Sequence, residues 1–389
     1  MEVAFFTDSY RPYVSGVVNS IDTLKSHLEY RNHDVYIFAP AYPGREGRDR
    51  HGGRVFRYAS LGAPVYPQYR VPIPLSVSLT ATLRRLGVQV IHAHSPFLMG
   101  KLGASAARRL GLPLVFTFHT LYDFYFDIYA GPMKDLFRPA LLNYLRSFCN
   151  QCRLIIAPSG PVAEGIRAMG IHAPVEVVPT GIPLERYEGP PQGDVRARWG
   201  IPPDAVLFLY VGRLAAEKDP ELLLDAFALA ARREAQACLI LVGDGPLREA
   251  LTEKAAALGL AERVRFAGVQ PPEAMPDFYK AADVFAFPSR SETQGLVLVE
   301  AMAAGLPVAA VDAAATVDVV GDSPGGILTE PTAGALAQAM LAAALTDRPA
   351  RSLAARERAR HFSAGLMARR MEKVYQDLVE AGRRVRPAS

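Results

Sequence analysis

Short apolar runs recur along this chain. Each is followed, after a turn, by a segment whose apolar positions return every third or fourth residue. Val3–Thr7, Asp34–Ala39, Val55–Tyr58, Val90–His94, Leu114–His119, Leu154–Pro158 and Val175–Val178 read as strands, with helices over Val17–Tyr30, Ser76–Leu86, Gly100–Gly111 and Pro161–Met169. The same grammar restarts with strands Val206–Val211, Cys238–Val242, Val264–Ala267, Asp283–Phe287 and Val308–Val311. Helices Pro220–Ala231, Leu247–Leu258 and Glu273–Ala281 lie between them, and Ala333–Glu380 reads as helical throughout. Short strands alternating with helices predict an α/β fold of two domains in tandem, each a parallel sheet with helices on both faces. Ligands of such sheets bind beyond the carboxyl ends of the strands.

The Pro- and Gly-rich run Leu184–Gly193 is the best linker. It divides the chain into a first domain over residues 1–185 and a second over 186–365. A late helix around Leu366–Glu380 is placed to pack back onto the first domain. A length of 389 residues fits two cores better than one. No apolar run reaches the roughly 18 residues of a membrane span. The opening MEVAFFTDSY lacks a basic leader segment and meets Asp8 at once, so it reads as a strand. The three cysteines fit a reducing, cytoplasmic setting. Cys149 and Cys152 form a C-x-x-C, a redox-active spacing, but they end the helical segment Pro139–Gln151 with no second ligand pair nearby, and the plain structural reading is preferred.

Charge changes the picture modestly. Residues 1–185 hold 19 Lys and Arg against 13 Asp and Glu, a balance of +6, while the remainder, 24 against 26, stands at −2. A mildly basic first half suits phosphates or anionic lipid headgroups. It is too sparse in clustered lysine for nucleic acid. Leu121–Pro132 gathers Tyr122, Phe124, Tyr125, Phe126 and Tyr129 with Asp123 and Asp127. Those aromatics suit a peripheral contact with a membrane, a stacking surface for a sugar acceptor, or a cap on the first core.

The chemistry concentrates at Ser289–Gly305 (SRSETQGLVLVEAMAAG). Glu292 precedes a helix and Glu300 lies in its second turn. The N–H groups of Gln294, Gly295 and Leu296 lie between them, at the positive end of the helix dipole. An anion site flanked by two acids suits a ligand with hydroxyl groups on both sides of its phosphates, which describes a nucleotide sugar. Arg213 and Lys218 follow the strand Val206–Val211, and two roles compete for them. A surface pairing with the nearby Glu217 and Asp219 is the plainer role, but taken with the helix that carries Glu292 and Glu300 the diphosphate prevails. In the first half, His94 and His119 sit at parallel strand ends and Gly16 opens a helix. Each of these alone is an ordinary structural feature, and together they point to a site.

The second half resembles the nucleotide-sugar domain of the retaining glycosyltransferases of family 4, which have the two-domain GT-B fold with the domains facing each other across a cleft. The matching residues are Val211-Gly212-Arg213 with Lys218, Gly243-Asp244-Gly245-Pro246, and the spacing from Glu292 to Glu300. The first half matches through the Gly16 loop, His94-Ser95-Pro96-Phe97 and Thr117-Phe118-His119-Thr120. Within the family, His119-Thr120-Leu121-Tyr122 with Tyr125 and Tyr129 is most similar to diacylglycerol glucosyltransferases and related lipid glycosyltransferases. Phe124 and Phe126 depart from the acidic or His residues of some of those relatives.

The resemblance implies roles residue by residue. Arg213 and Lys218 hold the diphosphate, and Glu292 accepts from sugar hydroxyls. The Gln294, Gly295 and Leu296 amides hold sugar and phosphate, and Glu300 binds the ribose. Gly16 touches the phosphate, His119 meets the sugar near the reacting carbon, and the base stacks near Gly268 and Val269. His94, Tyr122, Tyr125 and Tyr129 face the acceptor. The expected reaction moves a hexosyl group, glucosyl from a UDP-sugar in the first instance, to a hydroxyl of a lipid such as diacylglycerol, with retention. A soluble or polysaccharide acceptor and a nucleotide-sugar epimerase on the same scaffold are the alternatives. No cofactor is expected. The chain has no Asp-x-Asp, so no metal clamp is expected either, and cations and helix dipoles take that work.

Overall fold

The computed structural model describes residues 1–43, 53–62, 69–120 and 134–385. The chain divides into two compact units, one of Met1–Gly181 with Ala364–Ser389 and the other of Ile182–Ser363. In the first unit, β1 (Glu2–Phe6), β2 (Asp34–Pro40), β3 (Val55–Tyr58), β6 (Val90–Ala93), β7 (Leu114–Thr117), β8 (Leu154–Ala157) and β9 (Val175–Val177) form one parallel sheet ordered β3-β2-β1-β6-β7-β8-β9. In the second, β10 (Leu207–Val211), β11 (Cys238–Val242), β12 (Val264–Gly268), β13 (Val284–Phe287), β14 (Val308–Val311) and β15 (Gly326–Thr329) give the order β12-β11-β10-β13-β14-β15. Both sheets start in the middle, run outward one way, then return to the first strand and run the other way. The reversal falls between β1 and β6 and between β10 and β13. A crevice opens at such a switch point, beyond the strand carboxyl ends.

Both faces of each sheet are dry, which is why the strands read as unbroken apolar runs rather than as alternation. In β1, Ala4 and Phe6 face one core and Val3 and Phe5 the other. In β10, Leu207 and Leu209 face one and Phe208 and Tyr210 the other. The amphipathic helix Ala364–Val385 adds Met367, Met371, Val374 and Tyr375 to the core of the first unit.

Several elements differ from the sequence reading. A small antiparallel pair, β4 (Ser60–Gly62) with β5 (Arg70–Pro72), sits between Tyr58 and Ser76, where no element was assigned. β15 is a sixth strand whose Gly-Ile-Leu-Thr is too short to stand out. The helical tail is three helices, Ala333–Leu345, Arg348–Arg360 and Ala364–Val385, with Asp347 in a left-handed conformation between the first two. The run read as a linker is built into the second unit instead. Leu184–Tyr187 forms a 3₁₀ turn whose Tyr187 is buried in the core. Pro and Gly composition marked a turn there, and one aromatic anchored it.

Candidate functional site

In the second unit the switch point is made by two loops that hold each other. The Gly212 N–H donates to the Val242 carbonyl, Leu214 N–H to Asp244, and Leu247 N–H to Leu214. Gly243 has φ +133°, and a Cβ there would lie 1.9 Å from the Gly212 oxygen. The Gly-Asp-Gly-Pro turn is therefore a mould for the Gly212–Leu214 backbone, and only glycine fits. Below it Tyr210, fully buried, donates its hydroxyl to the Arg213 carbonyl at 3.1 Å.

Arg213 and Lys218 each meet a carboxylate. Arg213 pairs with Glu217, whose side chain is fully buried. Lys218 pairs with Glu292 at 2.6 Å, with side-chain exposures of 14% and 18%. The pairing expected from sequence neighbours holds for Glu217 and fails for Asp219, which faces Arg290 at 3.5 Å. Ser289 Oγ also donates to Glu292 at 3.1 Å, and both contacts fall on Oε1. The Ser291 hydroxyl donates to the Glu217 carbonyl and ties the two loops together.

The helix beyond this point is Leu296–Ala303, with Gly295 as its N-cap at φ +77°. Leu296, as the first helical residue, has an N–H outside the helical ladder. Gln294 is buried beside it. Glu300 accepts from the Tyr279 hydroxyl at 2.7 Å. Burial pushes the Glu300 carboxyl above its usual range, and hydrogen bonds from Tyr279 and Tyr187 with the charge of Arg186 draw it part of the way back. Gly268, at φ +66°, accepts from the Gly243 N–H, and Val269 next to it is exposed. The structure thus brings Arg213, Lys218, Glu292 and Glu300 onto loops and one helix around the carboxyl ends of β10 and β13. Gly268 and Val269 lie at the end of β12.

In the first unit, Gly16 is the first residue of the helix Gly16–Tyr30, capped by the Ser15 hydroxyl, and the space where its side chain would be is open. His94 and His119 are in direct contact, Nδ1 to Nε2, at 3.0 Å. Both lie just past the ends of their strands rather than in them. Burial holds His119 down to about 4, and holds His94 well below its ordinary range. Tyr122, Tyr125 and Tyr129 lie outside the described residues. The C-x-x-C cysteines are buried free thiols, and burial pushes Cys149 up to about 12 and lifts Cys152 well above its ordinary value. Thiols so far from forming thiolate are core residues, not redox groups.

Several residues of this region escaped the sequence reading. Asp8 accepts from the Met99 N–H at 2.7 Å, at the start of the helix Leu98–Leu110, and its N–H donates to Ser95 Oγ. His92, Tyr187 and Tyr279 carried no local signal either, since each acts on a partner that the fold, not the sequence, makes a neighbour. Ser289 is different, because its spacing to Glu292 was legible. Among the described residues no group of three or more His, Cys, Asp or Glu side chains is arranged to hold a metal ion. No helix among them is long and apolar enough to cross a membrane.

Known proteins resemble this chain along nearly its whole length. Residues 14–186 match the family model for Glycosyltransferase Family 4, and residues 192–362 that for Glycosyl transferases group 1. An alpha-monoglucosyldiacylglycerol synthase from Streptococcus pneumoniae is 31% identical over 97% of this chain and 86% of its own length. A GDP-mannose-dependent alpha-mannosyltransferase from Corynebacterium glutamicum is 28% identical over 85% and 77%. Among solved structures, Anabaena Alr3699/HepE in complex with UDP superposes with a TM-score of 0.78 at 22% identity, covering 97% of this chain and all of the other. Sucrose-phosphate synthase from Thermosynechococcus elongatus gives 0.77 at 24%, covering 98% and 99%. With two Rossmann-like units, their matched family models and a relative similar over nearly its whole length, this chain is a glycosyltransferase of the GT-B fold and belongs to family 4.

Proposed function

We propose that the chain transfers a glucosyl group from UDP-glucose to a hydroxyl of a lipid acceptor, diacylglycerol or its close relatives, with retention at the anomeric carbon. One observation carries the donor half. Two cations, a helix start and two acids converge at the switch point of the second sheet. Arg213 and Lys218 exchange part of their hold on Glu217 and Glu292 for the diphosphate oxygens, and offset the charge that grows on the leaving phosphate. Glu292 keeps Oε2 for a sugar hydroxyl, and Glu300 takes the ribose hydroxyls. The Leu296 amide end of the helix faces phosphate, and Gly16 contributes its own helix start. The base stacks near Gly268 and Val269. His119 meets the sugar.

Neither acid is assigned as a nucleophile. The acceptor oxygen attacks the anomeric carbon as the bond to the β-phosphate breaks, on the same face, and the departing phosphate takes the acceptor proton. No metal or cofactor is invoked, since fixed cations supply the charge.

The lipid acceptor is supported by the likeness to the glucosyldiacylglycerol synthase. The basic first half and the exposed Leu61, Leu75 and Val77 of the first unit support a peripheral seat on the cytoplasmic face of an anionic membrane. The test incubates the purified chain with UDP-glucose or GDP-mannose, with and without diacylglycerol in anionic vesicles. Glucolipid formation from UDP-glucose is expected, with an α linkage by NMR. Mannolipid instead would reassign the donor, a reading that the mannosyltransferase relatives favour. Transfer to a water-soluble polyol but not to vesicles would reassign the acceptor. Conversion of the nucleotide sugar without any acceptor would indicate an epimerase.

A further inference from the structure

Strands β6 and β7 set three imidazoles in a row inside the first unit. The ring centroids of His92 and His94 are 4.1 Å apart, and those of His94 and His119 are 5.3 Å apart with nearly parallel planes. The edge-to-face ring of Phe5 closes the side of both His92 and His94. His92 is fully tied, with Nδ1 to the Tyr375 hydroxyl at 2.6 Å and Nε2 to the Thr117 hydroxyl at 2.7 Å. His94 is tied on one side only. Its Nδ1 meets His119 Nε2 at 3.0 Å, while its Nε2 is buried without a partner among the described residues.

That asymmetry decides where the protons are. Burial disfavours the charged form of all three rings, and neighbouring rings add to this for His92 and His94, so each ring carries one proton. A buried N–H without an acceptor costs more than a buried lone pair without a donor, and orphan donors are correspondingly rarer. His94 therefore keeps its proton on Nδ1 and donates it to His119. His119 Nε2 is the acceptor, and its single proton is on Nδ1. We infer that His94 is a positioning residue that locks His119 as the Nδ1–H tautomer, so that His119 offers the ligand a hydrogen-bond donor and not a base. This rests on the reading that His119 meets the transferred sugar. It also fits a reaction in which the acceptor proton leaves with the phosphate, because a ring held this way has no lone pair to take it.

The test reads the tautomer directly. Full-length chain labelled with ¹⁵N-histidine gives long-range ¹H–¹⁵N spectra that separate Nδ1–H from Nε2–H rings, and His119→Asn identifies the His119 signals by their loss. His119 is expected as Nδ1–H in the resting protein. His94→Phe should release it toward the Nε2–H form and lower kcat for glucosyl transfer by roughly tenfold to a hundredfold, the scale on which misplacing a reacting group acts. His94→Asn keeps a donor at the δ position and should keep both the tautomer and most of the rate. If His94→Phe does not fold, His94→Gln, with its amide one atom further out, carries the same expectation. An Nε2–H ring in the wild type overturns the inference. So does a tautomer indifferent to His94, or one that changes with no change in kcat. Absence of transfer from every nucleotide sugar would instead overturn the proposed function, and the spectrum of the resting protein would still decide the lock.

Discussion

The two units share a fold and a strand order, yet their switch points are built from opposite materials. The second holds charges in pairs, Arg213–Glu217 and Lys218–Glu292. The first holds neutral rings in a dry column, His92, His94 and His119, with no ion pair among them. Paired charges suit a ligand that arrives charged, since each pair is a cation waiting for a better anion. Neutral rings suit hydroxyl groups, which ask for direction and not for charge. Both switch points nevertheless rest on a glycine pressed against site backbone. A Cβ at Gly243 would lie 1.9 Å from the Gly212 oxygen, and one at Gly100 would lie 1.9 Å from that of Ser95.

The largest effect should come from the charged side. Arg213→Ala and Lys218→Ala should each cut transfer by about 10²–10³, the usual cost of losing one group that stabilises developing charge. They should differ in stability. Arg213→Ala removes a cation that meets a fully buried carboxylate, Glu217, and should cost about 3 kcal/mol in urea unfolding. Lys218→Ala strands a partly exposed Glu292 and should cost clearly less. Equal losses would mean that the two pairs are not distinct.

Next come the glycines. Gly100→Ala and Gly243→Ala should each destabilise by roughly 2–3 kcal/mol, as overpacking against immovable backbone does. Normal unfolding midpoints for both would show that the site loops are softer than drawn. A smaller effect is expected at Glu300. Glu300→Gln should weaken nucleotide binding about tenfold by calorimetry, the size of one charge-assisted hydrogen bond. Tyr187→Phe should do less, because it removes only one of the hydroxyls that orient the carboxyl. Undiminished affinity in Glu300→Gln would take the ribose away from that acid.

The smallest effect is in pH. The buried imidazoles titrate below their ordinary value in the folded chain. Below about pH 6.5 the unfolded chain therefore binds more protons, and the stability they contribute, complete above that pH, is lost as pH falls toward 4. Asp8 and Glu300, whose carboxyls are raised, act in the opposite sense over part of that window, so the useful quantity is a difference. His92→Gln should lose less stability than the wild type between pH 7 and 5, by at most about 1.4 kcal/mol per pH unit. Parallel curves would mean that His92 is not buried neutral.

Much of this was legible in the chain. Alternating strands and helices are a local property, and so are Gly295 before a helix and Arg213 after a strand. What stayed hidden depends on contact between distant segments. Asp8 read only as an early charge, and nothing in its surroundings named the Met99 amide it caps. Leu184–Gly193 read as a linker because Pro and Gly dominate its composition. Tyr187 within it is an anchor, and its role appears only once Tyr279 and Glu300 are beside it. For Lys218 the only acids that sequence neighbours offered were Glu217 and Asp219, while the one it meets, Glu292, stands 74 positions away.

The route of the chain through the two units also bears on how the protein is made. Residues 182–363 close on themselves, so that unit can fold as soon as it leaves the ribosome. The first unit cannot, because its core holds the final helix. His92 waits for Tyr375 across 283 positions, and Arg31 for Glu372 across 341. Contacts of such span close late and slowly. The half that is synthesised first is thus the half that finishes last.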